Sequence, residues 1–293
     1  MNKNVQTSVL GYPRIGPNRE LKKATEAYWK GEIDKAALEE KGREIRRSNW
    51  QIQKDALIDI IPSNDFSFYD QMLDMSVLLG AIPKRFKTEN IDLNTYFSMA
   101  RGTDSKSAME MTKWFDTNYH YIVPEFYKDQ KFKISSDKPF SEFKEALGLG
   151  IKTRPVLIGP VTYLLLGKIK EVETLRATSL LDSILPVYEL VLKELKKLGA
   201  DWVQIDEPAL VLDLSNEAKD AYKKAYELLS TSKAGINIML TTYFGALNDN
   251  LKLASGLPVQ GLHVDLVRAP EQLNNVLQSM PENKIISLGV VDG

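Results

Sequence analysis

The sequence predicts an α/β fold, a (βα)8 TIM-type barrel truncated after its eighth strand, on three observations. Short apolar, strand-like runs alternate with helix-period runs along the whole chain, eight strands in all. The 293 residues, 43% of them hydrophobic, suffice for one large core, and single barrels commonly run to about 250 residues. Almost every strand-like run closes on a polar residue, where such barrels carry their reactive groups. A doubly wound open sheet shares the alternation and stands as the other architecture.

The first run, Thr7 to Tyr12, reads as a strand. Pro17 and Asn18 then suit a helix start, and Leu21, Ala24 and Tyr28 give a helix over Arg19 to Lys30 one apolar face. A longer helix spans Lys35 to Leu57, its face marked by Leu38, Ile45, Asn49, Ile52 and Ala56, and it ends before Pro62. Asp65 to Tyr69 reads as the second strand, Asp70 to Leu79 as a helix, and Trp114 to Tyr119 as the third strand, after a charged, Gly-, Ser- and Thr-containing loop over Arg101 to Ser107. Pro155 to Leu166 is an almost unbroken apolar run interrupted by Gly159 and Pro160, as expected of a strand buried on both faces that turns into a loop. The alternation then becomes regular: helix Leu175 to Leu198, strand Trp202 to Ile205, helix Asn216 to Leu229, strand Ile236 to Thr241, helix Leu247 to Ala254, strand Gly261 to Leu266, helix Pro270 to Met280 and strand Lys284 to Val291. The chain stops just after that strand, with no room for an eighth helix, so a larger protein is expected around it.

Composition narrows the function. A formal charge of -1, from 38 basic and 39 acidic side chains, supplies no overall field toward nucleic acid or an anionic membrane. With no cysteine and two histidines, the chain has no disulfide, no thiolate nucleophile and few strong metal ligands, so no metal site is expected in it. No stretch approaches the roughly 20 apolar residues of a membrane span, and no secretory leader is apparent, which reads as cytoplasmic.

The strand ends collect Arg14, Asp70, Asn118 and His120, Thr162, Asp206 and Glu207, Thr242 and Tyr243, Asp265 and Arg268, and Asp292. Asp206 and Glu207, in VQIDEPAL, could grip an ammonium group or move a proton; an ion pair with Arg14 or Arg268 explains them equally simply. Arg14, Arg19, Lys22 and Lys23 crowd around a helix start against one acid, Glu20, and free N–H groups there favour anions. The plain alternative makes Lys22 and Lys23 a solvated helix face. MEMTKWFDTNYH, from Met109 to His120, packs a histidine, an amide, two carboxylates and a lysine into a stretch with no clean periodicity, which points to recognition. Lys113 beside Trp114 has a cation-π explanation, and His120 and His263 can each be ordinary structural histidines. No glycine-rich phosphate loop, GxSxG elbow or His-Glu-x-x-His pattern occurs.

GYPRIGPNRELKKATEAYW, SNDFSFYDQMLDMS, MEMTKWFDTNYHYIVPEF, GPVTYLLLGK, WVQIDEPALVLDL, LTTYF, GLHVDLVR and GVVDG, in this order, resemble the amino-terminal half of cobalamin-independent methionine synthase over essentially the whole chain. The resemblance implies that residues 1–293 form a single amino-terminal (βα)8 barrel and that a carboxy-terminal, zinc-binding catalytic barrel lies outside this chain. It implies a methyltransferase of methionine biosynthesis, moving a methyl group from 5-methyltetrahydropteroyl-polyglutamate to homocysteine without cobalamin. Zinc, held by His, Cys and Glu, would belong to the missing barrel, leaving this half with no catalytic residue, inactive alone, and with its own carboxy-terminal barrel as partner.

This half is then expected to bind the folate polyglutamate through Asn18, Arg19, Glu20 and Leu21, with Lys22 adjacent, and through Lys113. Many members carry a basic residue where this chain has Asn18, so charge is reduced there. Arg14, Asn118 and His120 are expected in support, and Asp206 and Glu207 as a structural remnant of a homocysteine-binding strand end. Two other readings stay open: an independent single-barrel enzyme using Asp206 and Glu207, and a scaffold domain without its own ligand.

Overall fold

The computed structural model describes residues 5–88, 91–170, 176–231 and 234–292. The elements in order are α1 (Glu20–Trp29), α2 (Lys35–Asp55), β1 (Pro62–Ser63), α3 (Gln71–Leu78), α4 (Leu93–Arg101), β2 (Met111–Lys113), β3 (His120–Ile122), β4 (Glu125–Phe126), α5 (Lys138–Gly148), β5 (Arg154–Ile158), α6 (Pro160–Leu165), β6 (Lys168–Ile169), α7 (Leu181–Lys197), β7 (Trp202–Asp206), α8 (Asn216–Thr231), β8 (Asn237–Thr241), α9 (Leu251–Gly256), β9 (Gly261–Asp265), α10 (Leu273–Ser279) and β10 (Ile285–Gly289). Short 3-10 turns open α7, α9 and α10. Leu175, the expected start of the helix before β7, lies outside the described residues.

Six strands form one parallel sheet in the order β1-β5-β7-β8-β9-β10, and two-stranded pairs β2-β3 and β4-β6 flank it. Among the described residues the hydrogen-bonded strands do not close into a ring, and the main sheet is a parallel α/β sheet of six strands. The first predicted strand contributes a single parallel bridge, Ser8 to Ile60, bounded by Val9 N–H to Ile60 C=O at 3.2 Å and Ile60 N–H to Thr7 C=O at 3.0 Å.

Alternation along the strands sorts the side chains between the sheet's two faces. Leu157, Val203, Ile205, Ile238, Leu240, Leu262 and Val264 join one core cluster with Ile184, Tyr188, Leu192, Tyr222 and Tyr226 of α7 and α8. Each such aliphatic side chain contributes roughly 1.5–3 kcal/mol by leaving water. The intervening positions Arg154, Gln204, Asp206, Thr241 and His263 are buried and polar. Arg154 donates to Gln204 at 2.8 Å, Gln204 donates to Asp206 at 2.8 Å and to the Leu10 carbonyl at 3.0 Å, and His263 Nδ1 meets Ser287 at 2.8 Å. This polar face brings Leu10, from the N-terminal segment, up against the middle of β7.

Three sequence expectations change. Asp65 to Tyr69 is a loop, because the strand is Pro62–Ser63, and Asn64 then takes φ 62° and donates its side-chain amide to the Val156 carbonyl at 2.7 Å. Trp114 to Tyr119 is the turn of the antiparallel β2-β3 hairpin, closed by Trp114 N–H to Tyr119 C=O at 2.7 Å with Phe115 at φ 53°. The apolar run from Pro155 divides at Gly159 into strand β5 and helix α6, with Pro160 at the first helical position, which its missing N–H suits. Asp34, Asp70 and Asp92 accept backbone N–H bonds as N-caps of α2, α3 and α4.

Candidate functional site

The loop after the first strand-like run, the β2-β3 hairpin and the loops after β8 and β9 meet at the carboxyl ends of the parallel strands. Helix α1 begins on Arg19, held at φ 62° without a side-chain cap. Glu20 bonds backward instead, accepting from the Asn18 N–H at 3.0 Å and its side-chain amide at 3.1 Å. Its own backbone N–H, then Asn18 and Lys23, hold the Glu20 carboxyl below the usual range. Arg19 and Lys22 are exposed, and Lys22 lies 3.7 Å from Glu26 one turn on. Leu21 differs in kind: its side chain is 1% exposed in a cluster with Ile45 and Phe66, and its N–H donates to Ile15 C=O.

The hairpin sets Lys113 directly opposite His120, both exposed. In an antiparallel ladder, opposed residues project to the same side. His120 Nδ1 sits 3.1 Å from the Asn118 carbonyl, which orients its ring. Among the described residues, no carboxylate pairs with Lys113. No cation-π contact joins Lys113 to Trp114; Trp114 is buried, edge-on to Phe115 at 5.2 Å and to Tyr121 at 5.4 Å.

The hairpin turn is fastened on two sides. Arg268, after β9, donates to both Asp116 carboxylate oxygens at 2.6 and 2.5 Å and lies over the Phe244 ring at 5.2 Å, while Phe115 meets Phe244 at 5.3 Å. Asp265 holds the loops beneath, accepting from the N–H groups of Phe244, Val267 and Arg268. On the other side, Arg14 donates to the Tyr119 hydroxyl and to the Ser67 carbonyl, each at 3.0 Å. Asp70 ties the hairpin's root to α3, accepting from Ile122, Met72 and Leu73 N–H, and burial pushes its carboxyl up to about 7.

Asp206 and Glu207 pair with neither Arg14 nor Arg268. Asp206 accepts from Gln204 at 2.8 Å and from the Tyr243 hydroxyl at 3.2 Å, and burial pushes it up to about 7 against those donors and Arg154. Glu207 faces the other way. It accepts Val161 N–H at 3.2 Å, Thr162 N–H at 2.7 Å, Tyr222 at 3.2 Å and Tyr226 at 3.0 Å, capping α6 from a fully buried position. Burial raises its carboxyl to about 7 as well. Its place requires Gly159, where an added Cβ would lie 2.1 Å from the carboxylate.

Sequence reasoning passed over Tyr119 and Arg154. Arg154 opens the buried strand β5 as a charge, a signal the sequence did carry; its Nε has no partner among the described residues. Nothing in the sequence marked Tyr119, because its role depends on which loop the turn meets. Among the described residues, no three His, Cys, Asp or Glu side chains converge in a way that could hold a metal ion.

Parallel strands with helices between them and loops gathered at the carboxyl ends place the chain among the α/β proteins. Residues 6–293 match the family model described as cobalamin-independent synthase, N-terminal domain, and the chain belongs to that family. It is 50% identical over 290 residues to a 5-methyltetrahydropteroyltriglutamate–homocysteine methyltransferase of Xylella fastidiosa, covering 97% of this chain and 38% of that protein. The enzyme of the same name from Nitrobacter winogradskyi is 51% identical over 307 residues, covering 98% of this chain and 40% of its own length. This chain thus spans about two fifths of those relatives. In fold, it superposes with a TM-score of 0.58 and 14% identity on a B12-independent methionine synthase from a Shewanella species, solved with selenomethionine, covering 97% of this chain and 89% of that one.

Proposed function

We propose that this chain is the amino-terminal half of a methyltransferase that moves a methyl group from 5-methyltetrahydropteroyl-polyglutamate to homocysteine, and that it binds the folate's polyglutamate tail. The supporting observations are that Arg19, Lys22, Lys113 and His120 are all exposed, and that Arg14, in the loop leading to Arg19, bonds to Tyr119 of the hairpin that carries Lys113 and His120. A polyglutamate tail is flexible and multiply anionic, so exposed cations can meet it without first breaking strong partners. Asn18 shapes the start of α1 through Glu20, and Leu21 anchors it from below, so their part is to support its shape. In the reaction this half orients the folate, which lowers the entropic cost of bringing two substrates together. Zinc would activate the homocysteine thiolate in a further, carboxy-terminal barrel, the partner of this half, in the cytoplasm.

The sheet itself is best read as the body of a single eightfold barrel over residues 1–293. Support comes from its all-parallel sequential order, the Ser8 to Ile60 bridge that sets the first run beside β1, and the β4-β6 pair that carries a third run. An independent enzyme built on Asp206 and Glu207 has against it the four donors that commit Glu207 to capping α6.

Lys113→Ala in the full-length protein is expected to raise KM for the triglutamyl substrate about 5- to 50-fold, with zinc content unchanged. Unaltered kinetics across folate concentrations would remove Lys113 from the tail site.

A further inference from the structure

One side chain joins the two stretches of the tail site. Arg14 lies in the loop that leads to Asn18, yet its two guanidinium nitrogens reach Ser67 C=O and the Tyr119 hydroxyl, each at 3.0 Å, with the charge 5.6 Å from the Tyr119 ring centroid. The Tyr119 hydroxyl in turn donates to Tyr69 C=O at 3.3 Å. Burial raises the Tyr119 phenol, so it stays a neutral donor and acceptor, while Arg14 opposes that rise. The Tyr119 carbonyl closes the hairpin turn on Trp114 N–H, and the next residue, His120, is the ladder partner of Lys113. Displacing Tyr119 therefore displaces Lys113.

A guanidinium with both ends of its fork engaged makes a poor free ligand for a carboxylate and a good brace. We infer that Arg14 and Tyr119 are positioning residues that set the spacing between the α1 start and Lys113, and so match the site to the length of the polyglutamate tail. The inference rests on the tail-binding reading above and makes Arg14 a strut within that site. A lysine at position 14 would keep the charge and lose the fork; a phenylalanine at position 119 would keep the ring and every charge and lose only the hydroxyl.

The test is calorimetric titration of the full-length protein with triglutamyl and monoglutamyl 5-methyltetrahydrofolate, comparing Arg14→Lys, Tyr119→Phe and Lys113→Ala with the parent. Arg14→Lys and Tyr119→Phe are each expected to lower the ratio of triglutamyl to monoglutamyl affinity about 3- to 10-fold, while monoglutamyl affinity and the melting temperature stay put. Parent-like affinity in Arg14→Lys would make Arg14 a direct charge contact and overturn the brace. A silent Tyr119→Phe beside a weakened Lys113→Ala would overturn it too, leaving tail binding intact. A silent Lys113→Ala would sink the tail site and the brace together.

Discussion

Asp206 and Glu207 are adjacent in sequence yet bond to different parts of the molecule, one into the polar face of the sheet and one into the start of α6. For Asp206 the raised folded value sets the sign of a pH effect. Its carboxyl moves from 3.8 to about 7, so its contribution to stability is fully present below the unfolded value and is lost as pH rises toward the folded one. Buried His263 works oppositely: its value falls to about 4, so stability is lost as pH drops from its ordinary 6.5. Asp206→Asn is therefore expected to flatten the urea midpoint between about pH 4 and 7, by an amount on the order of a few kcal/mol; an unchanged slope would mean that Asp206 titrates normally. At this scale the sequence named Asp206, Glu207 and Arg14, because charged residues at strand ends are visible, and Lys113 through the unpatterned stretch around it and the family resemblance. Their partners were not, since an Arg14 to Tyr119 contact spans 105 positions that only folding brings together.

Helix α6 and the hairpin show where element-level reading succeeds and fails. A run such as PVLIGPVTYLLL suits a buried strand and a buried helix equally by hydropathy, and only Gly159 and Pro160 mark the switch. The switch is made stable by Glu207, which arrives from the neighbouring strand and bonds the first N–H groups of α6. Gly159→Ala is accordingly expected to cost about 1–3 kcal/mol in urea unfolding, since its Cβ would occupy the carboxylate's place; a change within error would show that Glu207 can step aside. The hairpin was hidden for another reason. Phe115 and Phe244 both adopt positive φ, at 53° and 77°, a conformation bulky residues avoid, and their rings meet at 5.3 Å. Long amphipathic helices such as α2 and α8 were legible because each buries one continuous face, with apolar residues spaced by threes and fours.

Across the whole molecule, near-neutral charge and local clustering divide the electrostatics. With a formal charge of -1, the protein has little long-range field, so the proposed tail binding would draw on local cations such as Lys113 and Arg19. Raising salt from about 0.05 to 0.5 M is expected to weaken triglutamyl binding several-fold and to leave monoglutamyl binding nearly unchanged; equal losses for both would place the affinity elsewhere. The regular alternation after β5 announced the parallel sheet, and five of its six strands fall where hydropathy put them. The N-terminal third was harder to read, because its strands are two or three residues long and its core is held by helices and loops. The aromatic chain at the hairpin has an optical consequence. Trp114 is 3% exposed at the base of the turn that Arg14 and Arg268 hold, so its indole emission should shift to the red whenever the turn lifts and admits water. Replacing Trp29, Trp50 and Trp202 with phenylalanine would leave that indole as the sole reporter of the turn.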